Sequence, residues 1–260
     1  MGRLDPWLAR SIRCSGMGEC AFMRMELFCI ALLSSMAAMA QSLPPGIYIS
    51  DGGRGTLRIE AERDGTQRFS LNEVGANFHT CDLEGDVRAS RATLPTYDDA
   101  VCRISFARQD DGILVEQNED DFEHCRSFCG ARASFGGVYL SIAPMCEPDL
   151  IAAQRKAFKK AYDQKRFADA AVMLESVIPA CERTLTDADH GWIASDLAIT
   201  RHKLGDHSGC VAVLEGYREL ASMDEAAIRD SYPPSEADVY ARLARAVRTN
   251  LKLCGKPAGS

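Results

Sequence analysis

The chain has 260 residues, a formal net charge of −7, and 46% hydrophobic and 26% charged residues. These are globular proportions, and they exclude disordered, collagen-like and polytopic membrane classes. The unusual count is 11 cysteines, too many for a typical cytosolic protein without metal clusters, so an oxidising compartment is considered first.

Residues 27–40 form an apolar stretch running into small residues and ending Ala38-Met39-Ala40 before Gln41. A short apolar core followed by A-x-A is the pattern a signal peptidase reads, and it falls short of the roughly 20 apolar residues of a membrane span. Residues 1–40 are therefore expected to be a signal peptide. Met23-Arg24-Met25 already supplies its charged start, so residues 1–22 read as an upstream extension or an unusually long n-region. Cys29 precedes most of the apolar core and is badly placed for a lipoprotein cysteine. The expected mature chain starts near Gln41, is exported to the periplasm or secreted, and spans no membrane.

Removing the leader discards Cys14, Cys20 and Cys29 and leaves Cys81, Cys102, Cys125, Cys129, Cys146, Cys181, Cys210 and Cys254. An even set suits full pairing, although 105 connectivities are open to eight cysteines. His79-x-Cys81 and His124-Cys125 are the competing half-sites for a metal, but there is no C-x-x-C and no paired H-x-x-x-H. Structural disulfides are expected, with no metal and no cofactor.

The composition changes near Pro144-Met145-Cys146-Glu147-Pro148. Residues 41–147 carry 10 arginines, no lysine and 18 acidic residues, a charge of −8, whereas residues 148–260 carry 16 basic and 16 acidic residues. In the first half, Gly46 to Ser50 leads to the turn cluster Asp51-Gly52-Gly53. Leu57, Ile59 and Ala61 then share one strand face, opposite Arg58, Glu60 and Glu62. Asp64-Gly65 signals a hairpin, after which Phe69 and Leu71 resume the inward face. Further strands are expected at Phe78 to Leu83, Cys102 to Phe106, Gly112 to Glu116 and Val138 to Ile142, with Asp110-Asp111-Gly112 as another turn. Seven or eight short strands argue for a small antiparallel barrel or sandwich, stabilised in part by disulfides.

In the second half the period becomes helical. Pro148-Asp149 starts a helix carrying Ile151, Phe158, Ala161 and Tyr162, and a second runs from Phe167 to about Cys181. A third spans Trp192 to Leu204, and a fourth runs from His207 to about Ala221. Ser235 followed by Asp238 resembles a capping box opening a last helix, with Val239, Leu243, Val247 and Leu251 on one stripe.

Tyr162 to Ala170 resembles the turn and second-helix entry of a tetratricopeptide repeat, and Leu197-Ala198, Leu204-Gly205-Asp206, Cys210 and Leu214 resemble the same place one repeat later. Ala170 and Cys210 match the small residue where paired helices cross, 40 positions apart against the family's usual 34. The surplus fits a longer loop around Thr184–His190. Phe158 departs from the pattern, standing where the family prefers Gly or Ala. Two repeats are visible where three are normally needed, so the last helix or the β domain is expected to cap an end. Within such an up-down array Cys146 falls near Cys181, which would staple the halves together, and Cys210 falls near Cys254. Cys81–Cys102 with Cys125–Cys129 is then the leading pairing for the β domain.

Catalytic patterns are scarce: there is no G-x-S-x-G, P-loop, G-x-G-x-x-G or H-E-x-x-H. His202 and His207 flank a helical turn and are expected to face solvent. His124-Cys125 as thiol and base is outweighed by a disulfide role for Cys125. The run Glu116-Gln117-Asn118-Glu119-Asp120-Asp121-Phe122-Glu123 lacks EF-hand spacing and reads as a solvated acidic loop rather than a calcium site. The acidic first half argues against nucleic acid.

Two features suggest binding. Cys129 to Tyr139 is a loop of small residues with Arg132, Ser134, Phe135 and Tyr139, read either as a barrel-closing turn whose aromatics plug the core or as a protruding recognition loop. A small exported disulfide barrel with such a loop is similar to periplasmic lysozyme inhibitors, which implies a basic partner steered by the −8 charge. Phe135 inside the loop is a departure from that pattern. The second feature is the helical groove, for which Trp192, Arg201 and His202 are candidates, Trp192 being expected in the core. The expected fold is α+β in two domains: an antiparallel β-barrel or sandwich at 41–147 and an all-α tetratricopeptide-like array at 148–260. The expected function is non-catalytic binding of a protein or peptide in the cell envelope. Lysozyme inhibition is the alternative, and an unrecognised hydrolase is the third reading.

Overall fold

The computed structural model describes residues 42–61 and 66–255. The leader expected at 1–40 and the Asp64-Gly65 turn lie outside the described residues. Eight strands follow one another: β1 Gly46–Ser50, β2 Gly55–Ala61, β3 Gln67–Val74, β4 Thr80–Val87, β5 Arg91–Pro95, β6 Val101–Arg108, β7 Gly112–Gln117 and β8 Gly137–Ser141. They form one antiparallel sheet in the order β4-β3-β2-β1-β8-β7-β6-β5. Chain neighbours pair, β1 closes on β8, and the sheet is nearly a complete barrel. Its seam falls between β4 and β5, where the Arg88–Arg91 bridge links the two at their turn.

The expected alternation builds this barrel. Leu57 and Ile59 on β2, Phe69 and Leu71 on β3, and Cys102, Ile104 and Phe106 on β6 are all buried in one core, while Arg58 and Glu60 face outward. Each fully buried aliphatic or Phe side chain contributes about 1.5–3 kcal/mol before entropy is counted. Ala61, expected inward with Leu57, is exposed at the end of its strand. The strand expected from Phe78 begins two residues later, because Asn77 and Phe78 take φ of 55° and 58° in a 3-10 turn. Strand β5 was not expected; Ala92 and Leu94 are its only buried residues, too few to register as an alternating run.

The long β7–β8 connection contains α1, Phe122–Cys125, and seals the seam. Cys125 bonds Cys102 on β6, and Cys129 bonds Cys81 on β4, so the connection is fastened to strands on both sides of the seam. This corrects the expected Cys81–Cys102 and Cys125–Cys129 pairs. Strand β5 lies between β6 and the seam, and the short helical turns of 122–128 point Cys125 and Cys129 at different strands. Both disulfides expected in the helical half are present, Cys146–Cys181 and Cys210–Cys254.

The helices are α2 Pro148–Asp163, α3 Phe167–Glu175, α4 Val177–Cys181, α5 Asp187–Lys203, α6 His207–Ala212, α7 Arg218–Ser222, α8 Glu225–Ser231 and α9 Pro234–Cys254. The helix expected from Phe167 to Cys181 breaks at Ser176, because Pro179 has no N–H for the carbonyl of Glu175 and its ring crowds that carbonyl. The helix expected from His207 to Ala221 is interrupted around Gly216, a residue that weakens helix interiors. Helix α8 was not anticipated. The expected Ser235–Asp238 capping box is not formed: α9 starts on Pro234, a favoured first position for proline, and the Ser235 hydroxyl instead donates to Asn77 Oδ1 at 3.2 Å. Ala170 and Cys210 are fully buried where α3 and α6 meet their neighbours.

Barrel and helices belong to one compact unit. Gly53, at φ 74°, lies so close to the Leu185–Thr186 backbone that a Cβ there would sit 2.5 Å from the Leu185 carbonyl carbon. The Gly52 N–H donates to the Arg183 carbonyl at 2.8 Å. The Arg183 guanidinium bridges Asp51 and Asp111 on two barrel turns, at 2.7 Å each.

Candidate binding groove

Helix α5 starts firmly because the Thr186 hydroxyl accepts from the Asp189 N–H at 3.1 Å. Its buried side carries Ile193, Ala194, Leu197 and Ala198. Gly191 allows α9 to approach, since a Cβ there would meet the Leu243 side chain at 2.6 Å. Asp189, Trp192, Asp196 and Ile199 fall at helical spacing on another face of α5, and that face walls two clefts.

The first cleft, about 370 Å³, is closed by Gly53, Arg54, Val74 and Phe78 of the barrel and by Glu236, Val239 and Tyr240 of α9. The second, about 570 Å³, lies between α5 and α2 and is lined by Arg155, Lys156, Lys159 and Tyr162. Arg155 stands at their junction, with Nη1 4.0 Å from Asp189 and Nη2 3.7 Å from Asp196. The two clefts follow one another along the same face of α5 with Arg155 between them, and together they make a candidate groove. From Asp189 to Ile199 it runs about 15 Å at the helical rise per residue, room for about four to five residues of extended chain.

The barrel end of the groove is aromatic. Phe78 is 63% exposed, in a turn whose left-handed backbone is costly for a bulky residue and is pinned by the Asn77–Ser235 contact. Trp192 is half-buried rather than fully in the core. On the groove floor Arg54 donates to both carboxylate oxygens of Glu236, at 3.2 and 2.9 Å. That bond holds the Arg54 guanidinium more firmly protonated than usual. Burial, then the charge of Asp187, pushes the Tyr240 hydroxyl up to about 12. In the other cleft, burial raises the Asp196 carboxyl, and Arg155 works against that rise.

The remaining candidates lie elsewhere. Arg132 and Ser134 are exposed, but Phe135 and Tyr139 are buried in the barrel core. The Tyr139 hydroxyl contacts the Phe135 carbonyl at 3.0 Å and Glu73 Oε2 at 3.1 Å, so these two rings plug the barrel and offer no surface to a partner. Arg201 ties the α5–α6 turn to α3 through Glu175 at 3.1 Å and the Gly209 carbonyl at 3.2 Å. His202 and His207, expected in solvent, are half-buried and stacked edge to face at 5.4 Å. His124 faces Asp98 at 3.8 Å, and its neighbour Cys125 is oxidised. In the acidic run, Asn118 caps Asp120, and buried Asp121 pairs with Arg103 at 3.0 Å. Among the described residues no group of three or more His, Cys, Asp or Glu is placed to hold a metal ion.

Arg54, Phe78, Asp189, Glu236 and Tyr240 were not singled out from the sequence, because only the docking of barrel on helices brings them together. Among the described residues no helix is long and apolar enough to cross a membrane, and four disulfides are the pattern of an oxidising compartment. Comparison with protein-family models, with curated proteins and with solved structures finds no match to this chain.

Proposed function

We propose that the protein binds an extended segment of a partner protein, without catalysis, in the groove along α5, and that it does so in the periplasm. In this reading α2–α3 and α5–α6 act as tetratricopeptide-like hairpins, with α9 and the barrel completing the surface. The observation that carries it is Phe78: a large apolar side chain, exposed on a costly backbone, at the mouth of a groove with aromatic walls. Exposed apolar surface rimmed by polar groups marks interaction sites. Lysozyme inhibition would draw on the −8 charge of residues 41–147, but two of the four side chains of the proposed loop serve the core, so the groove takes precedence.

The test is retention of end-capped pentapeptides from a random library by the disulfide-intact chain. The full chain is expected to retain a subset of sequences, Phe78→Ser to lose them, and Tyr97→Ser to keep them, since Tyr97, 90% exposed in the β5–β6 turn, lines neither cleft. Equal retention by the Phe78 variant, or none by the full chain, contradicts the proposal.

A further inference from the structure

We infer that the barrel end of this groove takes a cationic side chain, arginine or lysine, from the bound segment; the inference rests on the groove being the binding site. Phe78 and Trp192 bring two aromatic side chains to one cleft beside Tyr240, which is buried and stacked on Tyr232 at 3.7 Å, and aromatic faces attract a cation within about 6 Å of the ring centre. The charges at this end favour the same occupant. Among the described residues Arg54 is the one cation lining the cleft, and its charge is matched by Glu236 at 2.9 Å. Asp189 on the cleft wall adds a second carboxylate, held only loosely by Arg155 at 4.0 Å. A carboxylate entering here would meet Asp189 and Glu236 against the single guanidinium of Arg54, among the described residues.

The opposite end has the reverse character. In the second cleft Lys159 pairs with Asp163 and Arg155 with Asp196, which leaves Lys156 as its unmatched charge among the described residues, so the lining passes from net acidic to net basic. A segment lying in it is thereby oriented, its cationic residue against Trp192 and any acidic residue toward α2. Electrostatic complementarity of this kind sets register and direction more than raw affinity.

The probes are the end-capped peptide Gly-Leu-Arg-Leu-Gly and its counterparts with norleucine or glutamate in the central place, titrated against the full disulfide-intact chain. The arginine peptide is expected to bind about five- to thirtyfold more tightly than the norleucine peptide, the range of a partly desolvated cation over aromatic rings. The glutamate peptide is expected to bind most weakly. Asp189→Asn should cut the arginine preference to under about threefold, whereas Tyr97→Ser, at a residue that lines neither cleft, should leave it intact. Matching thermal unfolding of the variants keeps a folding defect apart from a loss of recognition. Equal binding of the arginine and norleucine peptides, or tighter binding of the glutamate peptide, overturns the cationic assignment while leaving the groove in place. If the pentapeptide library also yields nothing, the groove itself is overturned.

Discussion

Arg54 and Glu236 stand 182 residues apart and meet in a bidentate pair at 3.2 and 2.9 Å. Arg54 leaves the barrel just ahead of β2, and Glu236 occupies the first turn of α9, its side chain almost buried. The pair fixes the groove floor by joining the two halves of the chain. Arg54→Ala leaves that carboxylate without its partner and is expected to cost about 1–3 kcal/mol. Glu236→Gln, which keeps an acceptor, should cost less. Urea unfolding of the two single variants and the double variant measures the coupling directly.

Gly53 tests the same docking through the backbone. Gly53→Ala adds both a positive-φ penalty and a Cβ 2.5 Å from the Leu185 backbone, and is expected to destabilise by about 2–4 kcal/mol. Gly52 also has positive φ, but a Cβ there meets nothing within 4 Å. Gly52→Ala should therefore cost only about 1–2 kcal/mol of conformational strain. Equal Tm losses for the two would contradict close packing of barrel on helices.

The seam disulfides make a prediction in covalent form. Non-reducing digestion is expected to recover Cys81 linked to Cys129 and Cys102 linked to Cys125, never Cys81 with Cys102. Replacing Cys102 and Cys125 together by alanine frees one side of the connection and is expected to cost about 2–5 kcal/mol, read as a lower urea midpoint.

Glu73 supplies a pH dependence. Burial raises its carboxyl above the usual 4.5, against the opposing hydrogen bonds from Tyr139 and Ser50. Because the folded chain holds this proton more tightly than the unfolded chain, the stabilisation is fully present below pH 4.5 and is lost as pH rises through the folded value. Glu73→Gln carries no such titration. Its stability relative to the native chain should therefore climb between pH 4 and pH 7, measured by urea unfolding at each pH. A gap that stays constant would show that the carboxyl is not held in a desolvating site.

The barrel was legible where burial alternates, as at Leu57, Ile59, Phe69 and Leu71, since a period of two survives without knowledge of partners. The helices were legible from their longer period, and an expected up-down layout pointed to the Cys146–Cys181 and Cys210–Cys254 pairs. The four barrel cysteines were not, because strand order around a closed sheet decides which of them meet. Phe135 and Tyr139 read more readily as a barrel plug than as a recognition loop, and both are buried. The groove was the least legible feature. Phe78 and Trp192 are unremarkable alone in the sequence, and they become a site only when Gly53 and Arg54 lock the barrel against α5 and α9.

The most direct measurement is photocrosslinking from the groove mouth. The photoreactive residue p-benzoylphenylalanine is placed at position 78 or, as a control, at position 97, and each disulfide-intact protein is irradiated with the capped pentapeptide library. A groove that binds extended segments predicts covalent peptide adducts at position 78, rich in arginine and lysine, with few at position 97. Equal labelling of the two positions, or none at position 78, would contradict the account.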